Sequence, residues 1–480
     1  MMSIGENKPQ MRLSRLFPAA GTCVSTAWGL SITRRSAIGL VGLGAAGGAL
    51  YGVSRSQLLS FLKSDARASA DVRVVRRPYP SEPGREVSVL GYGGIRLPIL
   101  NRRDDQIDEE LGLSLIDYAY RHGVNYFDTG WVYHKGEGER FFGRALRRYP
   151  RESFMLADKM PTWLVKSPDD APKFFEEQLR RCQVDYFDNY LLHSLNNPEE
   201  YRRVYKDWRV LDYLKEQKAQ GRIRHLGFSF HGKSPLLKEV LDEYPWEMCV
   251  ITLNVLDQRW SADSARQIAM LQERKIPMFI MEPLGGGRCA NLNPAARKIL
   301  ADATPGVSPA EWAFRWALSQ NGVQTVMSGM GRMDWLVENV RSLSSERFHR
   351  LSSDELAIYG RVIDAYMKYA TVPCTGCRYC VPCPYGVWIP EVFAWWNSFA
   401  GAGRLPAEKG ANDSQELRRE FLVRYSHEIA PGCGPEKCIR CRKCKVACPQ
   451  WVFDIPKEMK KIDVALAKVR DDYVAKGGRL

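Results

Sequence analysis

Nine of the thirteen cysteines fall in two short runs near the C-terminus. The first run is Cys374, Cys377, Cys380 and Cys383, followed by Pro384. The second is Cys438, Cys441, Cys444 and Cys448, followed by Pro449, with Cys433 just upstream. The second run reads C-x2-C-x2-C-x3-C-P, a spacing that holds four-iron clusters. A cubane cluster needs four thiolates converging on its corners. Cysteines spaced this way in a tight loop place three sulfurs on one cluster, and the fourth, stiffened by the proline after it, reaches the neighbouring cluster. By that logic Cys374, Cys377, Cys380 and Cys448 hold one 4Fe-4S cluster, and Cys438, Cys441, Cys444 and Cys383 hold a second. The first run is one residue short before its last cysteine, and a single cluster is the competing count. Zinc ribbons also use paired C-x2-C elements, but they need neither a third cysteine at that spacing nor a Cys-Pro ending. Disulfides in an exported chain and a two-iron site built on Cys433, Cys438 and Cys441 compete with the four-iron reading as well. Cys23, Cys182, Cys249 and Cys289 are isolated and read as small buried apolar residues or, for the first, part of a processed segment.

A second set of reactive side chains depends on the elements that carry it. From about residue 85 to 345, short apolar runs alternate with amphipathic stretches. The runs are 87–90, 124–128, 154–159, 186–193, 223–229, 249–254, 278–283 and 324–328. Eight strand–helix units in this length predict a closed (β/α)8 TIM barrel, with a doubly wound open sheet as the runner-up. An open sheet would show a Gly-rich turn running into a helix after its first strand. Here the glycines of 91–94 lead into Ile95, Arg96, Leu97 and Pro98 instead. Catalytic groups of such barrels sit at the C-terminal ends of the strands. Those ends carry Asp128 and, just beyond, Tyr133 after the second strand, Lys159 at the third and His193 at the fourth. Four polar groups from three adjacent strands then face one pocket.

The stretches around these residues resemble the aldo-keto reductase family. They are 127–146, Lys159, 190–193 and 221–229, which reads Gly-Arg-Ile-Arg-His-Leu-Gly-Phe-Ser. The resemblance covers about residues 85–345. It looks closest to a branch with a fused ferredoxin-type C-terminal domain, which extends it to about residue 455. It implies that Asp128, Tyr133, Lys159 and His193 form a catalytic tetrad. Reducing a carbonyl by hydride needs a proton for the forming alkoxide. A phenol with a pKa of about 10 is a poor acid at neutral pH unless a cation stabilises its anion. Tyr133 is the expected acid, Lys159 the cation, Asp128 the partner that fixes Lys159, and His193 the donor that orients the substrate oxygen. The family also binds NADP or NAD across the barrel mouth. The positions implied for it are Ser229, Asn254, Ser328, Gly329, Arg332 and Asn339. The chain departs from the family at Phe230, Thr252 and Met281, and it lacks the usual basic pair for a 2′-phosphate, where it has Gly329 and Trp335; Arg332 could compensate. Trp131, His134, Trp163 and Trp260 are candidate substrate walls.

The 480 residues exceed one typical domain, and the formal charge is +14. Residues 1–70 contribute +6 of that charge, from eight Lys/Arg against two Asp/Glu. The rest is mildly basic and carries no nucleic-acid motif, so nucleic acid is not an expected partner. Arg34 and Arg35 form a twin-arginine sequence, an apolar Gly/Ala stretch runs to Val53, and residues 68–70 offer an A-x-A cleavage site. The expectation is export by the twin-arginine route to the periplasm, with a cytoplasmic or N-terminally anchored protein as the alternative. Membrane contact is expected only through an uncleaved signal. The organisation read from the chain is signal segment 1–70, linker 71–84, barrel 85–350, iron–sulfur domain 351–456 and helical tail 457–480. The expected function is an oxidoreductase that interconverts a small carbonyl and an alcohol with NAD(P)H and exchanges electrons through 4Fe-4S clusters with a redox partner protein. The alternative is an iron–sulfur electron-transfer module on a repurposed, non-catalytic barrel.

Overall fold

Residues that must be buried on both faces build the centre of the molecule. Segments such as Met155–Met160 and Phe187–Leu195 are buried at every position, as expected of parallel strands covered by helices on one side and packed into a barrel interior on the other. The computed structural model describes residues 72–101, 103–369, 371–406, 414–448 and 453–479. The twin-arginine sequence and the apolar stretch after it lie outside the described residues, as does the side chain of Trp260. The described residues belong to one unit, Leu59–Leu480.

An antiparallel hairpin, β1 (Arg76–Pro78) and β2 (Glu86–Ser88), precedes eight parallel strands. These are β3 (Leu90–Gly93), β4 (Tyr126–Asp128), β5 (Met155–Met160), β6 (Phe187–Leu195), β7 (Ile223–Phe230), β8 (Met248–Thr252), β9 (Met278–Met281) and β10 (Val323–Ser328). Each pairs with the next, and β10 returns to β3, closing the barrel. The doubly wound alternative is excluded. One sequence reading is corrected in detail: the run 87–90 is not one strand. Its first half belongs to the hairpin, and the barrel strand starts at Leu90. Tyr79 and Val87 from the hairpin join Tyr126, Met155, Leu191, Met248 and Phe279 in the barrel's inner core. The hairpin thereby covers one end of the barrel and leaves the C-terminal strand ends for chemistry.

Two further cores complete the chain. The helix Ser353–Tyr366 packs on Pro294–Ala303, with Tyr359 stacked on Trp312. The C-terminal region has its own core of three helices, Ile389–Ala400, Gln415–Glu428 and Ile455–Ala475. In the first of these, Val392, Phe393, Trp395, Trp396 and Phe399 are buried, and Phe421 of the second helix packs on Trp395. Each large side chain removed from water here contributes about 1.5–3 kcal/mol. Met459, Ile462, Leu466 and Val469 of the last helix are buried in the same core. No described helix is long and apolar enough to cross a membrane.

Candidate active site and iron–sulfur centres

Strand side chains alternate between faces with a period of two. Tyr126 and Asp128 therefore share the interior face of β4, as do Met155, Ala157 and Lys159 on β5, and Leu191 and His193 on β6. The lower members are apolar and fill the inner core. The last member on each strand is polar and stands at the C-terminal rim. Register staggers them by two residues from strand to strand, with Asp128 opposite Ala157 and Lys159 opposite Leu191. Tyr133 comes from the short helical turn Tyr133–Gly136 just after β4.

All four expected catalytic residues meet. Lys159 Nζ donates to Asp128 Oδ1 at 2.7 Å and also to the Thr129 carbonyl. It lies 4.9 Å from the centre of the Tyr133 ring. The Tyr133 and His193 rings are 6.1 Å apart, edge to face, and Trp163 closes over His193 at 5.0 Å. Burial pushes the Tyr133 phenol well above its ordinary pKa, with the Asp128 and Asp158 carboxylates adding to the effect. Burial, and then the Lys159 charge, holds His193 well below the ordinary imidazole value. The site thus keeps a neutral phenol that holds its proton and a neutral imidazole beside a fixed cation. The raised phenol pKa runs counter to the activated acid expected from the sequence, but a forming alkoxide is a stronger base than a phenolate and can still take the Tyr133 proton. His193 Nδ1 and Asp128 Oδ2 are buried without a hydrogen-bond partner.

A second layer holds β5 in place. Gln178 Nε2 donates to Asp158, Glu139 and the Lys159 carbonyl, and its own carbonyl accepts from Tyr190. Trp131 lies against Arg181 and Phe174. His134 anchors the loop after β3 by accepting from the Leu97 amide.

The residues expected at the nicotinamide divide into two groups. Ser328 accepts from Asn339, and the turn Ser328, Gly329, Met330, Gly331 leads into the helix Met333–Ser342. Arg332 is paired with Asp334. The Arg96 side chain lies along Gly329 so closely that a Cβ there would meet it at 2.8 Å. The part of Arg96 at Gly329 is its aliphatic stem, and its guanidinium goes to the Thr375 carbonyl; what this end offers a phosphate is the helix N-terminus, with Arg332 beside it. At the other end, Ser229 Oγ accepts from the Ser194 amide. The Asn254 side chain is committed to Asp257 and the Glu282 carbonyl. Asn254 thus has both amide N–H groups engaged within the chain, while Ser229 keeps its hydroxyl proton to donate.

In the second domain the thiols form two groups of four. Cys374, Cys377, Cys380 and Cys448 act on one another electrostatically, and Cys444 of the second group also bears on Cys380. Cys444 is acted on by Cys438, Cys383 and Cys441. Both groups match the crossed allocation read from the sequence. Cys433 is in neither; it packs on the domain core. Burial and like-charge neighbours push the Cys374 thiol up to about 11 and Cys377 to about 12. Such thiols become thiolates when a metal supplies the opposing charge. The Gly376 amide donates to Cys374 Sγ at 3.4 Å. The second group surrounds a cavity walled by Ile389, Ile455 and Met459. Among the described residues no group of three or more His, Cys, Asp or Glu closes on a single-ion centre. Cys182, Cys249 and Cys289 are buried in the barrel region.

Sequence reasoning missed the contact between the two domains. The loop Cys374–Cys380 lies on the barrel mouth. Arg96 donates to the Thr375 carbonyl. Gly286, at φ +71°, packs so tightly that an added Cβ would fall 2.2 Å from Thr375 Cα. Glu282 is an electrostatic neighbour of Cys374 and Cys377. The Tyr379 hydroxyl lies 3.5 Å from His193 Nε2.

Comparison with known proteins agrees with this architecture. The model of the Aldo/keto reductase family matches residues 89–361, and that of the 4Fe-4S dicluster domain matches residues 373–453. The chain is 27% identical over 213 residues to Probable aldo-keto reductase 1 of Glycine max, covering 42% of this chain and 58% of that protein. It is 23% identical over 273 residues to the Uncharacterized oxidoreductase YqkF of Bacillus subtilis, covering 50% of this chain and 84% of that protein. Among solved structures, the aldo-keto reductase AKR11C1 from Bacillus halodurans in its holo form superposes with a TM-score of 0.50 at 22% identity. It covers 61% of this chain and 97% of that one. That likeness concerns the fold.

Proposed function

The chain belongs to the aldo/keto reductase family and carries a 4Fe-4S dicluster domain, and from that premise we propose an oxidoreductase that interconverts a small carbonyl and an alcohol at Asp128, Tyr133, Lys159 and His193. The observation that carries this reading is the buried Lys159–Asp128 pair set against the Tyr133 phenol. A bound nicotinamide supplies hydride, and a bound 4Fe-4S cluster exchanges one electron at a time. In the reducing direction a nicotinamide held at the barrel mouth would supply hydride to the substrate carbon, and Tyr133 would give its proton to the substrate oxygen. His193 orients the oxygen, and Lys159 stabilises the phenolate left behind. NADP or NAD is the proposed carrier, with Gly329, the helix start at Met333 and Arg332 toward its phosphates.

The two thiol groups differ in exposure. Cys441 is exposed and lies among Arg440, Arg442 and Lys443. Cys377 lies close enough to the tetrad to act on Tyr133. This supports electron exchange with an acidic partner protein at the second group, with the first group facing the barrel. The second reading, an electron-transfer module on a non-catalytic barrel, is favoured by Asn254 being committed within the chain. Adding NADPH and then NADH to the anaerobic holoprotein separates the two. Bleaching of the cluster absorbance is expected, one NAD(P)H giving one electron to each of the two clusters and releasing a proton. No bleaching while dithionite still reduces the clusters would refute the coupled oxidoreductase. Export through Arg34 and Arg35 is part of the same proposal. Cell fractionation of a double Arg→Lys variant at these positions should leave the protein in the cytoplasm.

A further inference from the structure

One hydroxyl inside the barrel's tetrad belongs to the iron–sulfur domain. Tyr379 lies between Cys377 and Cys380 in the first cysteine run. Its oxygen is 3.5 Å from His193 Nε2, and its hydroxyl is near enough to pull the Tyr133 pKa down against the larger effect of burial. Those are the two groups that would hold and protonate a carbonyl oxygen. A substrate oxygen must come within about 2.6–3.2 Å of the same two atoms, and two oxygens cannot share that point. The loop is seated from several sides. Arg96 binds the Thr375 carbonyl, Gly286 abuts Thr375, and Arg378 pairs with Glu391.

We propose that Tyr379 is a fifth residue of this active site, an internal stand-in for the substrate oxygen that a carbonyl or alcohol must displace. Displacement moves a side chain flanked by two thiols of the first cluster group, so substrate occupancy and the surroundings of that group are coupled. The coupling is reciprocal: whatever biases the loop at the cysteines changes affinity at the tetrad by the same factor. This proposal rests on reading the tetrad as a carbonyl site. Tyr379 specifies the occupant as a molecule with one exposed carbonyl or hydroxyl oxygen, able to replace a phenol in a mostly aromatic enclosure of Trp163, Tyr133 and His193.

The test uses the anaerobic holoprotein with benzaldehyde as the probe, and variants are compared at equal iron content. Affinity reduced by a closed state is recovered when that state is removed. Tyr379→Ala should therefore bind benzaldehyde at least about tenfold more tightly than the wild type by calorimetry. Tyr379→Phe, which keeps the ring and loses the hydroxyl, should fall between them; it carries the test if the alanine variant fails to load iron. In the dithionite-reduced wild type, saturating benzaldehyde should shift the EPR signal of one cluster. In Tyr379→Ala it should bind and leave that signal unmoved. Equal affinity in all forms, no binding to any form, or an unmoved wild-type signal while the aldehyde binds would overturn the proposal. The underlying reading fails separately. Tighter binding in Tyr379→Ala with no NAD(P)H-dependent reduction in any form would remove the reductase and leave the stand-in. Wild-type reduction with a KM unchanged by Tyr379→Ala would do the reverse.

Discussion

Replacing Lys159 by methionine separates what this residue does for the fold from what it does for the reaction. Lys159 is 2% exposed and Asp128 5%, and the pair is closed at 2.7 Å. Nζ lies 4.9 Å from the Tyr133 ring centre, so at an effective dielectric of ~20 it stabilises a phenolate there by about 3 kcal/mol. Losing that interaction should lower kcat by a factor on the order of 100. The same substitution leaves Asp128 buried opposite a methyl group, and removing one partner of a buried pair costs about 3–5 kcal/mol. Burial already lifts the Asp128 pKa against the pull of Lys159, so the carboxyl responds by taking a proton. In a barrel of this size the midpoint of thermal unfolding should fall by about 5–15 °C. Asp128→Leu combined with Lys159→Met removes both charges and should recover most of the lost stability, but none of the rate. The assays are benzaldehyde reduction with NADPH and far-UV circular dichroism on the anaerobic holoprotein. A single variant whose kcat stays within about threefold would refute the electrostatic argument. A double variant that regains kcat would show that the lysine serves only the fold.

Three further outcomes follow from the geometry. Cys448→Ser should lose the same EPR signal as Cys377→Ser, and Cys383→Ser the other; a Cys448→Ser protein that instead resembles Cys441→Ser would disprove the crossed allocation. Gly286→Ala puts a Cβ 2.2 Å from Thr375 Cα at a φ of +71°, so the cysteine loop should lift from the barrel and chymotrypsin should cut faster at Tyr379; unchanged resistance would count against that contact. Acid should destabilise the barrel through His193, whose pKa is held well below 6.5 by burial. The unfolded chain takes up a proton near pH 6.5 that the native state refuses, so stability is full above that pH and declines below it. Unfolding midpoints at pH 7.5 and 5.5 should show the decline in the wild type and a smaller one in His193→Gln; equal declines would remove His193 as the cause.

The barrel was legible because its strands are short runs buried on both faces, separated by helical stretches. The one strand misplaced, at 87–90, was apolar for two different reasons. Val87 covers the end of the barrel from a hairpin, whereas Leu90 begins the first barrel strand. Asp128, Lys159 and His193 could be read as a set because period-two alternation puts each at the rim of the same interior face. The Cys-Pro endings suggest the crossed thiol allocation, which the Cys448→Ser comparison decides. The internal partners of Ser229 and Asn254 were not legible. Whether a serine hydroxyl faces a ligand or a neighbouring amide depends on the β6–β7 register shift between Leu192 and Leu195, and one sequence carries no trace of it.

Tyr379 was illegible for a different reason. Its only local signal is an aromatic residue between two ligand cysteines, which reads equally well as a shield for the cluster. What makes it a tetrad neighbour is the docking of one domain on another, and that depends on Gly286 and Arg96, which are far away in sequence. Docking also gives the second domain a direction. The Cys374–Cys380 loop is pressed on the barrel mouth, while the second thiol group opens outward beside Ile439 and Val446, the latter 76% exposed. An electron route needs one buried end at the chemistry and one exposed end for a partner. A cluster serving only to hold the domain together would need neither the glycine contact at Thr375 nor a phenol reaching His193. The placement of these two residues therefore favours clusters that communicate with the tetrad over clusters that merely staple helices.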